Sequence, residues 1–407
     1  MEPFIHLHVH TQYSLLDGQA SIDALIDKAQ KDGMNAIAVT DHGNMFGIKE
    51  FFNKVSKKNG KPLGAIKDLE KEQKALKGKE ALSTEEQARL QEIPSLIEAE
   101  KKKIFKPIIG CECYCARNGR HNKTAKEDRS GYHLIVLAKN LNGYKNLIKM
   151  VSISWTEGFY GRPRIDHELL EKYHEDLIIC SACLGGEIPQ HIMHDRIDKA
   201  EESILWFKKL FGEDYYLEMQ RHETHDPNAD CTTYPKQQEV NKVLIELARK
   251  HNVKLIATND VHFVNQEDAE AHDRLICLST GKDLDDPTRM RYSKQEWMKT
   301  TAEMNAIFAD IPEALSNTLE IADKVGFYSI DSGPIMPTFA IPEDFGTEES
   351  YREKFSEQDL FEEFTRDENG NVVLSEEDAK DKIKKLGGYD KLYRIKLEAD
   401  YLKKLTY

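Results

Sequence analysis

Two hydrophobic periods alternate along most of this chain. Near its start Phe4, Ile5, Leu7 and Val9 are strand formers, and a period of two sends His6, His8 and His10 to one common face. Behind Ser21 the apolar residues Ile22, Leu25, Ile26 and Ala29 recur at helical spacing, closed by Gly33. Residues 35–40 then read as a buried strand ending at Asp41, His42 and Gly43. Strand, helix and strand in this order imply a parallel sheet with a right-handed crossover, with chemistry beyond the carboxyl ends of the strands.

The alternation continues after an interruption. Residues 57–106 are rich in Lys and Glu, with a capping-box signal at Ser83 and Glu86, and predict a charged helical hairpin inserted into the domain and dispensable for folding. Strands are expected at 107–112, 131–138, 176–183, 215–219 and 253–258, with helices at 168–173, 198–211 and 237–251. His133 opens its strand rather than closing it, so that strand either runs against its neighbours or the site dips to meet it. Helices follow near 302–308 and 312–325, then a Pro-rich segment at 334–342. The acidic end carries a hairpin-type turn at Asn369 and Gly370 and a last helix over 391–405.

Length changes this picture only by requiring more than one core: 407 residues exceed one ordinary domain. No apolar run approaches a membrane span and no charged-then-apolar leader opens the chain, so a cytoplasmic protein without a membrane partner is expected. Seven cysteines in no dense framework predict reduced thiols, and Cys111, Cys113 and Cys115 alternate like strand residues rather than a zinc knuckle. A net charge of −14 argues against a broad basic surface for nucleic acid, yet leaves room for a small site where metals supply the positive charge.

Side chains able to coordinate a metal collect at the expected strand ends: His8, His10, Asp17, His42, Glu112, His133, Cys183, Asp260 and His262. Any one of them alone is better read as a hydrogen-bonded core residue. Together they would bury several carboxylates among histidines, which is unfavourable without cations between them. A multinuclear site follows, and its mixed N, O and S donors favour zinc, with manganese or iron as substitutes. Arg221, His222 and His225 either contact a phosphate or belong to an ordinary polar loop.

The words around these residues resemble a known family. His8-x-His10, residues 40–43 (Thr-Asp-His-Gly), Gly110-x-Glu112, His133, Cys183 and Asp260-x-His262 are similar to the motif set of the polymerase and histidinol phosphatase (PHP) family. Residues 4–18, 107–112 and 257–262 resemble its branch in the C-family replicative DNA polymerases of bacteria, the polymerase III alpha subunits. Residues 308–322 and Met336 to Phe339 look like the start of the palm region of those polymerases. The resemblance covers roughly residues 1–355; the 57–106 insertion and the acidic end depart from it.

The resemblance implies a distorted seven-stranded β/α barrel over 1–285, followed by the start of an α+β palm over 286–407. It implies a three-metal cluster, with one ion on His8, His10, Glu112 and Asp260. A second would share Glu112 with His133 and Cys183, and a third would take Asp17, His42 and His262. Asp41 would orient a ligand histidine. His6 shares the face of the pair and is a weaker candidate. Asp260, Glu112 and His10 are expected to serve the chemistry, a metal-dependent 3′–5′ exonuclease acting on DNA 3′ ends, with replisome subunits as partners. A metal-stabilised scaffold without hydrolysis is the alternative, and a free-standing small-molecule phosphatase is opposed by the palm-like residues. The polymerases of the family are longer, so an N-terminal fragment is expected that lacks the polymerase aspartates and does not polymerise DNA alone.

Overall fold

The computed structural model describes residues 1–79, 81–335, 339–367 and 369–406. They form two compact units, Met1–Asp331 and Ser332–Tyr407. The first unit holds a seven-stranded sheet: β1 (Ala36–Val39), β2 (Lys106–Cys115), β3 (Tyr132–Ala138), β4 (Arg164–Ile165), β5 (Leu177–Cys180), β6 (Tyr215–Met219) and β7 (Lys254–Ala257). Its order is β1-β2-β3-β5-β6-β7, with β4 beside the far end of β2.

Every pairing is parallel except those of β3, which runs against both β2 and β5. That reversal answers the question posed by His133. The residue opens β3 opposite Tyr114, so it lies at the rim where the parallel strands end. The strands are buried on both faces, as helix-covered parallel strands are.

The histidine-bearing segment ties the two ends of this curled sheet together. Ala38 N donates to His6 O and Thr40 N to Val9 O, both at 2.9 Å, while His10 N donates to Val261 O at 2.7 Å. The two-residue step from Ala38 to Thr40 is matched by a three-residue step from His6 to Val9, so the register slips on this side, and the segment's one bridge joins Val9 to Val261. The expected strand is extended but irregular. The slip also breaks the common face: His6 turns to Lys299 O at 2.7 Å and does not join His8 and His10.

Helix Ile22–Lys31 buries Ile22, Leu25, Ile26 and Ala29, with Ser21 at its N-cap. The charged hairpin consists of helices Ile48–Lys77 and Thr84–Lys101, capped at Ser83–Glu86, with a small core of its own around Ile66, Leu76, Ile93 and Ile97. Its first helix begins at Ile48, so its base is a barrel helix: Phe51, Phe52 and Val55 are buried there.

The compact division falls at 331/332 rather than at the expected 285/286. Met298, Met304, Phe308, Ile311, Leu315 and Ile321 belong to the main core. Helix Glu313–Lys324 lies along the sheet, with Asn317 Nδ2 donating to Leu255 O at 2.8 Å. The first palm-like residues, 308–322, are therefore part of the barrel unit. Of the segment Met336 to Phe339, only Phe339 lies within the described residues.

The second unit packs helices Glu348–Lys354, Glu357–Thr365, Glu376–Leu386 and Tyr389–Thr406 around Tyr351, Leu360, Ile383, Leu392, Tyr393 and Leu397. The turn expected at Asn369 and Gly370 is present, with Gly370 at φ +81° and Arg366 bridging Val372. Among the described residues no helix is long and apolar enough to cross a membrane.

Candidate metal centre

His8, His10, Asp17, His42, Glu112, His133, Cys183, Asp260 and His262 all meet at the rim of the sheet, with Glu112 in their midst. Glu112 Oε1 lies 2.8 Å from His133 Nδ1, 3.4 Å from His8 Nε2 and 3.9 Å from Cys183 Sγ. Its Oε2 lies 2.5 Å from His42 Nδ1 and 3.5 Å from His10 Nε2. Asp260 Oδ1 stands 3.0 Å from His8 Nε2 and 3.3 Å from His10 Nε2. Asp17 reaches His42 Nε2 at 2.9 Å and His262 Nε2 at 3.9 Å.

Three groups of donor atoms are close enough to share an ion: His8, His10 and Glu112; Glu112, His133 and Cys183; and His10, His42 and His262. The last group differs from the expected third set by placing His10 beside His42 and His262, with Asp17 at its edge. A fourth group, Cys115, His167 and Glu187, stands apart. There His167 Nε2 and Glu187 Oε2 bond to each other at 3.2 Å, and Glu187 Oε1 also accepts from Ser203 Oγ at 2.5 Å.

The loops are built to aim these side chains. Leu16, Ala182 and Asp260 have φ of +60°, +61° and +48°. A left-handed non-glycine residue thus sits beside Asp17, beside Cys183 and at Asp260 itself, a backbone cost that persists only where surrounding contacts fix it. Gly18 and Gly186 close the first two loops: a Cβ there would lie 2.1 Å from Thr11 O or Ser181 O.

Partners behind the ring set the tautomers of three histidines. His8 Nδ1 donates to Glu218 Oε1 at 2.7 Å, and His262 Nδ1 to Asp260 O at 2.8 Å. Ser14 Oγ donates to Asp41 Oδ1 at 2.7 Å and accepts from His10 Nδ1 at 2.9 Å. Asp41 therefore orients His10 through Ser14. In all three rings the Nε2 lone pair is left facing the centre.

Two of these lone pairs, on His8 and His10, make no hydrogen bond, while His262 Nε2 has the Tyr292 hydroxyl at 3.4 Å. Among the described residues, His8 Nε2, His10 Nε2, His42 Nδ1, Glu112 Oε2 and Asp260 Oδ1 are all sealed from solvent and, although they crowd one another, none makes a well-formed hydrogen bond. Buried polar atoms are normally satisfied, and five orphans facing one another are costly unless a cation lies among them. The donor set of imidazole, carboxylate and thiol is one that zinc-like ions take. The residues fit such a group.

Charge within the centre is strained in the same sense. Burial resists protonation of His8, yet Asp260, Glu218 and Glu112 outweigh it and raise its pKa well above the usual value. Burial, with His42 and His262 nearby, pushes His10 down to about 3. Burial opposes ionisation of Glu112, but His133, His42 and His8 hold its carboxyl well below the usual range. Cys183 is pushed up by burial and by Asp260 and Glu112. A cavity of about 230 Å³ opens over His42, His133, Cys183, Asp260, His262 and Tyr292.

Several contributors were not anticipated from the sequence. Glu218 carried a usable signal, a single acidic residue within the apolar strand β6, the same sign that marked Glu112. Tyr292, whose hydroxyl donates to Asp17 Oδ1 at 2.8 Å, comes from an irregular stretch with no pattern to flag it. His222 lines the cavity, whereas Arg221 is committed to Asp310 at 2.6 Å and His225 is exposed beside Glu223.

Residues 6–222 match the PHP domain family, and the chain belongs to that family. Its relatives include the DNA polymerase III subunit alpha of Borreliella burgdorferi, 43% identical over 362 residues, covering 88% of this chain and 27% of that protein. The protein of that name from Treponema pallidum is 34% identical over 377 residues, covering 92% of this chain and 27% of its own length. The chain thus spans about a quarter of the length of these relatives. A solved structure from Bifidobacterium adolescentis, provisionally described as a metal-dependent phosphoesterase, aligns over 75% of this chain and 97% of its own at 12% identity and a TM-score of 0.32, too low to carry an argument.

Proposed function

We propose that this chain is the PHP-bearing part of a bacterial replicative DNA polymerase III alpha subunit, and that its rim hydrolyses phosphodiesters as a metal-dependent 3′–5′ exonuclease. The observation that carries this reading is the convergence of unpartnered, buried donor atoms around Glu112 and Asp260. His8, His10, Glu112 and Asp260 would hold one ion, Glu112, His133 and Cys183 a second, and Asp17, His42 and His262 a third. Zinc suits this donor set, with manganese or iron as substitutes. When bound, such ions acidify a water and neutralise the phosphate that an acidic protein otherwise repels.

The chain's own residues supply the rest. Glu218, Ser14 and the Asp260 carbonyl hold His8, His10 and His262 in the tautomer that presents Nε2. Tyr292 fixes Asp17. The cavity of about 230 Å³ falls below the ~300–1,000 Å³ of sites that enclose whole small molecules, so it suits a chain end whose base stays outside. DNA and other replisome subunits are the partners this reading implies, with polymerisation itself carried out by the rest of the alpha subunit.

The test is Asp260→Asn. Asparagine keeps the shape and removes the charge, so metal-dependent release of nucleotides from a 3′ end should fall roughly a thousandfold with the fold intact. An equally active variant, or a wild-type chain with no such release, contradicts the nuclease. A second reading, a metal-stabilised scaffold, is favoured by the complete burial of His8 and His10, since structural sites are closed where catalytic ones stay open. Retained metal without hydrolysis would select it.

A further inference from the structure

Three aromatic side chains stand in a row on the surface next to the metal centre. Phe46, Trp155 and Phe159 are 58%, 42% and 46% exposed. Trp155 and Phe159 stack with centroids 5.6 Å apart and planes 18° from parallel, and Phe46 lies 6.2 Å from Trp155. The row is anchored to the site: Trp155 Nε1 donates to Gly43 O at 2.8 Å, directly after His42. Beside it the exposed Arg162 guanidinium sits 5.7 Å above the Tyr114 ring, which in turn stacks toward His42 at 6.1 Å. Among the described residues Arg162 makes no ion pair.

We propose that Phe46, Trp155 and Phe159 form a stacking platform for unpaired bases of a single-stranded nucleic acid, with Arg162 contacting its backbone. The inference rests on the nuclease reading and names its substrate: a frayed, single-stranded 3′ end. The small cavity leaves the bases outside, and the row of π faces is fixed to the residue that follows His42. Stacking rather than charge must carry the binding, because the chain's net charge of −14 disfavours electrostatic tracking along phosphates. A base-paired end keeps its bases stacked on one another and offers the platform nothing, so the platform selects unpaired ends.

The test uses the metal-loaded chain and single-stranded oligothymidylate with phosphorothioate linkages that resist hydrolysis, so binding is read apart from turnover. Trp206 is stacked on His167 and Trp297 is buried, so fluorescence quenching on binding reports on Trp155. Oligothymidylate should quench it and a blunt duplex should not. Phe159→Ala and Phe46→Ala should each weaken binding roughly five- to a hundred-and-fiftyfold, the range for one lost base stack. Arg162→Gln should remove a salt slope of about −0.7, one single-strand phosphate contact.

Wild-type protein that binds the blunt duplex as well, or binds neither, overturns the platform. So do alanine variants that bind like wild type, including the case in which they lose a protein partner instead. If Trp155→Ala disturbs the Gly43 loop, the two phenylalanine variants decide. Binding through the patch without hydrolysis of an ordinary oligonucleotide would remove the nuclease and keep the platform; hydrolysis indifferent to the patch would do the reverse.

Discussion

His8 Nδ1 and Glu218 Oε1 lie 2.7 Å apart at the floor of the centre, and neither atom has access to solvent. Glu218 is itself held by Thr258 Oγ1 at 2.5 Å and Gln220 Nε2 at 3.1 Å, so its position is set before any ligand arrives. The pair decides which nitrogen of His8 faces Glu112 and Asp260.

Glu218→Gln should therefore weaken metal binding about tenfold, the lower end of what removing such a supporting carboxylate costs, because the amide still accepts a hydrogen bond but no longer strengthens the imidazole as a donor. Chelator competition against wild type measures it. Circular dichroism should be unchanged, and unaltered metal retention would show that His8 needs no carboxylate behind it.

How much of this was legible depended on whether a local pattern carried it. The strand residues 35–40 and the Ile22 helix followed directly from period and cap. All nine proposed metal-binding side chains arrived at the rim, because strand ends concentrate them. What failed to show was relational. The slip between the histidine segment and β1, which removes His6, depends on a pairing that no single segment encodes. The reversal of β3 appeared only as an anomaly at His133. Helix Glu313–Lys324 is amphipathic whichever body it covers, so its place on the barrel, which moves the division to 331/332, could not be read from its own residues.

The charged hairpin should be removable above its base. Asn59 exchanges two hydrogen bonds with the Phe105 backbone, at 2.7 and 2.9 Å, inside the barrel unit. Replacing residues 62–102 by a short Gly-rich link should leave a soluble, metal-binding chain, because the hairpin's small core is its own. Asn59→Ala, in contrast, should cost about 1–3 kcal/mol in urea unfolding, since it strands two buried backbone groups. An insoluble or metal-free deletion would show that the hairpin supports the fold.

Lys299 is buried, with its ammonium 3.5 Å from the centroid of the Trp297 ring, and burial pushes its pKa down to about 7, only partly offset by Glu296 and Glu303. The unfolded chain holds this proton up to the ordinary 10.5, so between about 7 and 10.5 it binds more protons than the folded one. Stability should rise with pH across that window and show the full penalty below it. Lys299→Met should stabilise the protein by about 1–3 kcal/mol at pH 7 and by little near pH 10. Gln295 O, which accepts from Lys299, keeps a bond from Asn259 Nδ2 at 2.8 Å. A variant less stable than wild type at pH 7 would mean that the ammonium is stabilised where it lies.

The central claim is that the atoms gathered around Glu112 hold metal. Elemental analysis of the chain, purified without exposure to chelator, tests it most directly. Nine ligands with Glu112 shared imply two to three transition-metal ions per chain, zinc foremost. Less than about one equivalent, in protein that is folded and monodisperse, would contradict the account.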